Sequence, residues 1–159
     1  MIANWNAVVA PGDLVYHLGD FAFYRTQAEV EAVLSQLKGQ KHLVEGNHDH
    51  KQVRRAKGWA SVKDYYELKV DLGGKRKQLI CLFHYPMMTW NGAHHGSWHL
   101  HGHCHGTLKE SSTTRIDVGV PCFNYTPVSI EQIADEMSKK QYIVVDQHDD
   151  RRASHLSHK

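Results

Sequence analysis

The chain has 159 residues, 41% of them hydrophobic, with a formal net charge of +2 and a sequence pI of about 8.4. This length favours one domain, and this apolar content excludes global disorder. The mildly basic balance does not demand a nucleic-acid groove, although it allows a surface that attracts phosphate. Three scattered cysteines without a CxxC pair favour reduced thiols. Since we find no secretory signal and no apolar run of membrane-spanning length, we expect a soluble, cytoplasmic protein.

The first part of the chain predicts a β-α-β unit. Residues 2–9 have apolar side chains at helical spacing and predict a helix ahead of this unit. Residues 14–18 are rich in strand formers and predict a buried strand that ends just before Asp20. Thr26 predicts the start of the connecting helix, because a glutamate three residues later completes a capping box. Residues 42–44 predict the next strand, and parallel strands joined in this way end at the same edge of a sheet.

The turn after this second strand carries three consecutive polar side chains, Asn47, His48 and Asp49, and Gly46 before them permits a sharp turn. An amide oxygen, an imidazole and a carboxylate suit metal-assisted chemistry, as an oxygen ligand, a proton carrier and an acid that orients the carrier. Asp20 is expected at the same sheet edge. Its alternative interpretation is a turn residue or a helix cap.

The next part of the chain predicts a hairpin and a further strand, each followed by histidine. Residues 65–72 and 78–83 predict the two strands of the hairpin, with His84 at the tip of the second. Residues 98–101 predict a short strand that enters Gly102-His103-Cys104-His105. Because residues two apart in an extended segment face the same way, the two histidines of this motif can reach one polar site together.

These histidines have plainer alternatives. A lone histidine at a strand tip is more often a hydrogen-bonded structural residue. The turn at 102–105 could be a histidine-rich surface loop or a structural zinc site that includes Cys104, although Cys81 and Cys122 offer no suitable spacing. The loop at 90–97 could line a substrate pocket or simply pack; its candidate residues are Trp90, His94, His95 and Trp98.

The last part of the chain predicts a strand at residues 114–118 and a helix that Ser129 caps. We expect the domain to cover residues 1–145. Residues 146–159 are polar and predict a mobile tail.

Taken together, the four motifs resemble those of calcineurin-like metallophosphoesterases of the compact bacterial or phage type. The matches, in chain order, are Gly19-Asp20, Gly46-Asn47-His48-Asp49, His84 and Gly102-His103-Cys104-His105. The resemblance implies an α/β (α+β) fold, a four-layer αββα sandwich with its first strand missing. It also implies a metal-dependent phosphoesterase that hydrolyses a phosphate mono- or diester. The expected partner is a phosphorylated small molecule or nucleotide, with nucleic acid left open and no membrane.

The resemblance assigns the metal ligands. Asp20 would bridge two metal ions, and Asn47, His84 and His103 would complete the second metal site. His105 would be a ligand of the first metal. Mixed oxygen and nitrogen ligands favour Mn, Fe or Zn over Ca.

The resemblance also assigns the proton transfer. His48 would not bind metal but would face the substrate as the general acid, and Asp49 would steady its orientation. An imidazole suits this role because its proton exchanges near neutral pH.

The chain departs from the family pattern at one motif, the D-x-H that supplies two ligands of the first metal. Three explanations stay open: an N-terminally truncated gene product, a one-metal enzyme, or a catalytically impaired relative that binds metal or phosphate. A less favoured hypothesis is that Asp146 and His148 substitute for the motif. A metal-storage protein would account for the 14 histidines but not for ligands that follow strands. The oligomeric state is left open.

Overall fold

The protein's structure is a computed structural model that describes residues 1–109, 114–140 and 143. These residues form an α+β fold with two sheets. The helices and strands, in chain order, are α1 (Ile2–Val8), β1 (Leu14–His17), α2 (Gln27–Leu34), β2 (Gln40–Val44), α3 (Lys51–Arg54), β3 (Trp59–Lys63), β4 (Tyr65–Val70), β5 (Gln78–Phe83), β6 (Trp98–His101), β7 (Arg115–Asp117) and α4 (Ile130–Ser138). Short 3-10 helices span Ala93–His95 and Val120–Phe123.

The first sheet confirms the predicted β-α-β unit. Its strand order is β1-β2-β3, and both pairs are parallel. The helix α2 begins after Thr26, whose hydroxyl accepts from the Glu29 backbone N–H, while the Glu29 carboxylate accepts from the Thr26 N–H, as a capping box requires. The predicted first helix is confirmed as α1. The sequence does not predict β3, which lacks a regular alternation of buried and exposed residues.

The second sheet has the order β4-β5-β6-β7. The predicted hairpin is confirmed, because β4 and β5 pair antiparallel, whereas β5 pairs parallel with β6 and β6 with β7. The strands predicted at 98–101 and 114–118 correspond to β6 and β7, and the helix that Ser129 caps is α4.

Two apolar clusters hold the fold together. One lies between the first sheet and the helices α1 and α2, and its most buried members are Val30, Leu34, Leu43 and Val53. The other lies between the sheets and joins residues of both; it contains Leu18, Val44, Ile80, Leu82, Leu100, Ile116, Ile133 and Met137. The carboxyl ends of β1, β2, β5 and β6 are thereby brought close together.

The expected four-layer αββα sandwich with its first strand missing is wrong. In the described residues, a loop rather than an α-helical layer covers the outer face of the second sheet: Trp90 and Ala93 pack there against Cys81. This loop contains only a three-residue 3-10 helix, because Gly92 and Gly96 on either side of it adopt left-handed backbone conformations. The helix α4 instead adds apolar side chains to the cluster between the sheets. The described chain is therefore a small two-sheet α+β protein.

Two expectations lie outside the described residues. These are the mobile tail at 146–159 and the substitution of Asp146 and His148 for the missing motif. In the part of the chain that the structure describes, none of the helices has the length and apolar character that a membrane span requires.

Candidate metal centre

The predicted ligands Asp20, Asn47, His84 and His103 each follow the end of a strand, and those ends meet. Asp20 and Asn47 come three residues after β1 and β2, His84 comes directly after β5, and His103 comes two residues after β6. A backbone hydrogen bond of 3.0 Å from the Gly102 N–H to the His84 carbonyl links the last two turns. The side chains therefore enter one site from both sheets.

Two glycines allow this close approach. Gly19 has φ of 92°, in the left-handed region, and a Cβ there would lie 2.6 Å from the Gly46 Cα. A Cβ on Gly46 would overlap the backbone nitrogen and the carboxylate of Asp20, and would lie 2.9 Å from the His84 ring. Only residues without a Cβ fit here, because the turns after β1 and β2 pack directly against each other.

The structure brings three metal-binding side chains together in this gap. Asp20, His84 and His103 each direct one ligand atom into the site, and these atoms lie within 4.8 Å of one another. His84 Nε2 is 3.5 Å from Asp20 Oδ2 and 3.2 Å from His103 Nδ1. Asn47 Oδ1 joins them, at 3.0 Å from His84 Nε2 and 3.1 Å from His103 Nδ1.

The hydrogen bonds of His84 determine which of its ring nitrogens can bind a metal. Its Nδ1 lies 2.7 Å from the Leu18 carbonyl oxygen, which can only accept, so Nδ1 carries the hydrogen. In the neutral ring, Nε2 then presents a lone pair to the Asn47 oxygen and the Asp20 carboxylate. Facing acceptors repel unless a proton or a cation lies between them. Such a donor set fits a divalent metal, and the backbone carbonyl fixes the tautomer that can bind it.

Asp49 holds the turns that carry these ligands. Its side chain is only 5% exposed, and its carboxylate accepts backbone N–H bonds from Asp20 and Phe21, both at 2.8 Å, and from Gly46 at 2.9 Å. No hydrogen bond between Asp49 and the His48 ring occurs among the described residues. Asp49 therefore ties the turn after β1 to the turn after β2, instead of orienting the imidazole by direct contact.

His48 lies beside the cluster with its side chain exposed to solvent. Its backbone N–H donates to Asp20 Oδ1 at 2.8 Å, which fixes its position relative to the ligands. Its ring contacts the Phe23 ring, with centroids 5.3 Å apart. An exposed imidazole next to a metal-binding group of atoms can exchange protons with a bound molecule.

Asp117 is a residue of this site that the sequence reasoning missed. Its carboxylate is 9% exposed and accepts from the N–H groups of Gly106 and Gly119, both at 2.9 Å. It thereby holds the turn in which His103 and His105 have positive φ values of 64° and 49°. A signal existed, since Asp117 lies near the end of the strand predicted at 114–118, two residues before Gly119.

His105 shares this turn but not the cluster. Its side chain is exposed, and the group of mutually close ligand atoms found in the described residues contains His103 without it. In the loop at 90–97, Trp90 is buried against Ala93 and the His99 ring, which corresponds to the packing alternative.

His17, at the end of β1, is a second residue that the sequence reasoning did not single out. Its Nδ1 is buried and has no hydrogen-bond partner in the described structure. Burial lowers its pKa below the usual value, and the carboxylates of Asp49 and then Asp20 act in the opposite direction. A neutral His17 leaves the negative charge of Asp20 available to a cation.

Fold and site together define the class of protein. It is a small α+β protein of two sheets, and the adjoining strand ends bring together one carboxylate and two imidazoles that could hold a metal ion. The chain is 30% identical over 145 residues to the Gene 66 protein of Mycobacterium phage D29, an alignment that covers 76% of this chain and 73% of that protein. It belongs to the same family as this phage protein. No family model matches the chain.

Two further proteins, neither of them from a phage, are similar to the chain. The uncharacterized protein MJ1445 of Methanocaldococcus jannaschii is 27% identical over 150 residues, which cover 90% of this chain and 76% of that protein. The crystal structure of the protein of unknown function AQ665 from Aquifex aeolicus matches with a TM-score of 0.66 at 25% identity, over 85% of this chain and 82% of that one. The names of these relatives state no activity.

Proposed function

We propose that the chain is a metal-dependent phosphoesterase that uses the cluster of Asp20, Asn47, His84 and His103 to bind the metal and His48 to protonate the leaving group. The observation that carries this proposal is the convergence of two oxygen and two nitrogen ligand atoms beside an exposed imidazole. The order of the four motifs, which resembles that of metallophosphoesterases, supports it.

The donor set favours Mn, Fe or Zn, because imidazole nitrogens suit these ions better than Ca or Mg. When bound, such a cation would lower the pKa of water toward neutrality and offset the charge on the phosphoryl oxygens. His84 and His103 supply neutral nitrogens, Asp20 supplies the negative charge, and Asn47 supplies a neutral oxygen.

The proton for the leaving group comes from His48. In hydrolysis, the oxygen of water forms a new bond to phosphorus, and the bond from phosphorus to the leaving oxygen breaks. That oxygen takes the proton of the His48 imidazolium, and the proton released by water returns to solvent or to His48. The backbone bond from His48 to Asp20 keeps the imidazole at the rim of the ligand cluster throughout.

The test is the hydrolysis of p-nitrophenyl phosphate and bis-p-nitrophenyl phosphate by the purified chain with added Mn²⁺. We expect turnover that disappears on chelation and in Asp20→Asn, and that falls at least about 100-fold in His48→Ala, as loss of a general acid predicts. The matched controls are Asp13→Asn, an exposed carboxylate near the start of β1, and His95→Ala, an exposed histidine on the loop across the second sheet.

Metal content must be measured in parallel, because it separates two outcomes. A folded chain that binds Mn²⁺ without hydrolysing either ester would refute the enzyme and leave a metal- or phosphate-binding protein. Turnover that survives in Asp20→Asn would show that the activity does not come from this cluster.

A further inference from the structure

One feature of the site is not explained by metal binding, namely the aromatic rings at its rim. Phe23 is 79% exposed, and its ring contacts the imidazole of His48. Tyr85, 40% exposed, lies on the side of the ligand histidines, with its ring centroid 4.7 Å from that of His103 and 4.9 Å from that of His84. The cluster therefore has an aromatic ring beside its proton carrier and another beside its ligands.

The exposure of Phe23 is imposed by its anchored neighbours. Phe21 packs edge-on against Trp59, with centroids 5.0 Å apart, and donates its backbone N–H to Asp49. On the other side, the Tyr24 carbonyl accepts from Gln52 Nε2 at 2.9 Å. Two residues that flank Phe23 are thus fixed to the body of the protein, and the chain between them holds a large apolar ring in water next to His48.

The proposed proton transfer indicates which part of the substrate contacts the Phe23 ring. A general acid must lie within hydrogen-bond distance of the oxygen that it protonates, so the leaving group of the ester comes to His48. The group attached to that oxygen then reaches Phe23, which contacts the same imidazole. A flat aromatic group would cover the exposed ring, whereas a simple sugar or alkyl chain would leave most of it in water.

The basic segment that follows His48 in the chain, residues 51–55, bears on the class of substrate. A polar cavity of about 370 Å³ is lined by Lys51, Arg54 and Arg55, together with Glu45, which pairs with Arg54 at 3.0 Å. Lys51 follows His48 by only three residues. Positive charge on the segment that follows His48 favours substrates that carry several phosphates.

We infer that the substrates are nucleoside phosphates, with the phosphate at the metal cluster and the base stacked on Phe23. This inference rests on the proposed function. Phe23 is then a specificity-determining residue, because stacking of a base on a protein ring strengthens its binding by about tenfold or more. Tyr85 is placed to contact the substrate from the ligand side.

The experiment compares two esters that differ only in the base, adenosine 5′-monophosphate and ribose 5-phosphate, with the Mn²⁺-loaded chain. We expect the wild type to favour the nucleotide by about tenfold in kcat/KM. This ratio should fall toward one in Phe23→Ala and persist in Phe23→Trp, which keeps a ring. Tyr65→Ala, which removes another exposed ring, at the start of β4, is the matched control and should keep the ratio.

Each remaining outcome is decisive. An equal rate for both esters in the wild type, or an unchanged ratio in Phe23→Ala, overturns the inference but leaves the phosphoesterase. Preference for phenyl phosphate over the nucleotide overturns the nucleoside class. If neither ester is hydrolysed, the proposed function is in question. Equilibrium dialysis then decides the inference, since tighter binding of the nucleotide that is lost in Phe23→Ala supports it and equal binding overturns it.

Discussion

Replacement of Asp49 tests whether this carboxylate holds the ligand turns together. Its three charge-assisted hydrogen bonds to the backbone of Asp20, Phe21 and Gly46 would all be lost in Asp49→Ala. At about 1.5 kcal/mol for each bond, the lower end of the range for bonds to charged groups, this predicts a loss of about 4.5 kcal/mol in the free energy of unfolding. In Asp49→Asn, the amide oxygen can retain two of the bonds, but its NH₂ faces the Phe21 N–H. We expect a loss of about 2 kcal/mol for this one unsatisfied donor.

The assay is urea unfolding in the presence of a chelator, so that only the protein's own contacts are measured, with the m-value as a check on two-state behaviour. The control is Asp13→Ala, which removes a single exposed hydrogen bond to the Ala10 N–H and should cost less than about 1 kcal/mol. If Asp49→Ala cost no more than this control, Asp49 would not hold the turns. In a separate Mn²⁺ titration, Asp49→Asn should weaken binding by about 10- to 100-fold, as for other residues that orient ligands.

Three further predictions follow from single contacts. Gly46→Ala should lower the free energy of unfolding by more than about 3 kcal/mol, because its Cβ would overlap Asp20. Gly74→Ala in the hairpin turn should be tolerated, and thermal melts compare the two variants. Burial lowers the pKa of His99 from 6.5 to about 4. Since the unfolded chain binds this proton first, the free energy of unfolding should fall by up to about 3 kcal/mol as the pH is lowered from 6.5 to about 4. Urea midpoints measured across this range check the fall, and His99→Leu should flatten it. Asp117→Asn should weaken Mn²⁺ binding by about 10- to 100-fold, and unchanged affinity would exclude a positioning role.

The parts of the fold that local chemistry determines could be predicted from the sequence. The capping box at Thr26 and the strand formers on either side of α2 locate the β-α-β unit, and the two strand-forming runs at 65–72 and 78–83 locate the hairpin. By contrast, β3 has no regular burial pattern, so its place in the first sheet depends on tertiary pairing with β2. The number of layers could not be predicted because it depends on what packs against the outer face of the second sheet.

For the candidate site, the strand-end rule located the four residues whose ligand atoms now lie together, because carboxyl ends of parallel strands meet at one edge. It could not exclude His105, which lies two residues from His103 and would face the same way in an extended segment. The turn is not extended, since both residues have positive φ, and the alternation argument fails there. Asp117 was missed because its role is to accept the backbone N–H groups of Gly106 and Gly119. Only the folded structure shows which backbone N–H groups this carboxylate meets.

The carboxylates of Asp49 and Asp117 explain how the site keeps three residues in a strained backbone conformation. Asp20, His103 and His105 have positive φ values of 56°, 64° and 49°. Each such conformation costs about 1–3 kcal/mol for a residue with a side chain unless its surroundings hold it. Asp49 accepts the N–H of Asp20 itself, and Asp117 accepts that of Gly106, next to His105. The strain therefore lies where a buried charge offsets it. Because these bonds are made to the protein backbone, the ligand directions are set by the fold before any cation contributes.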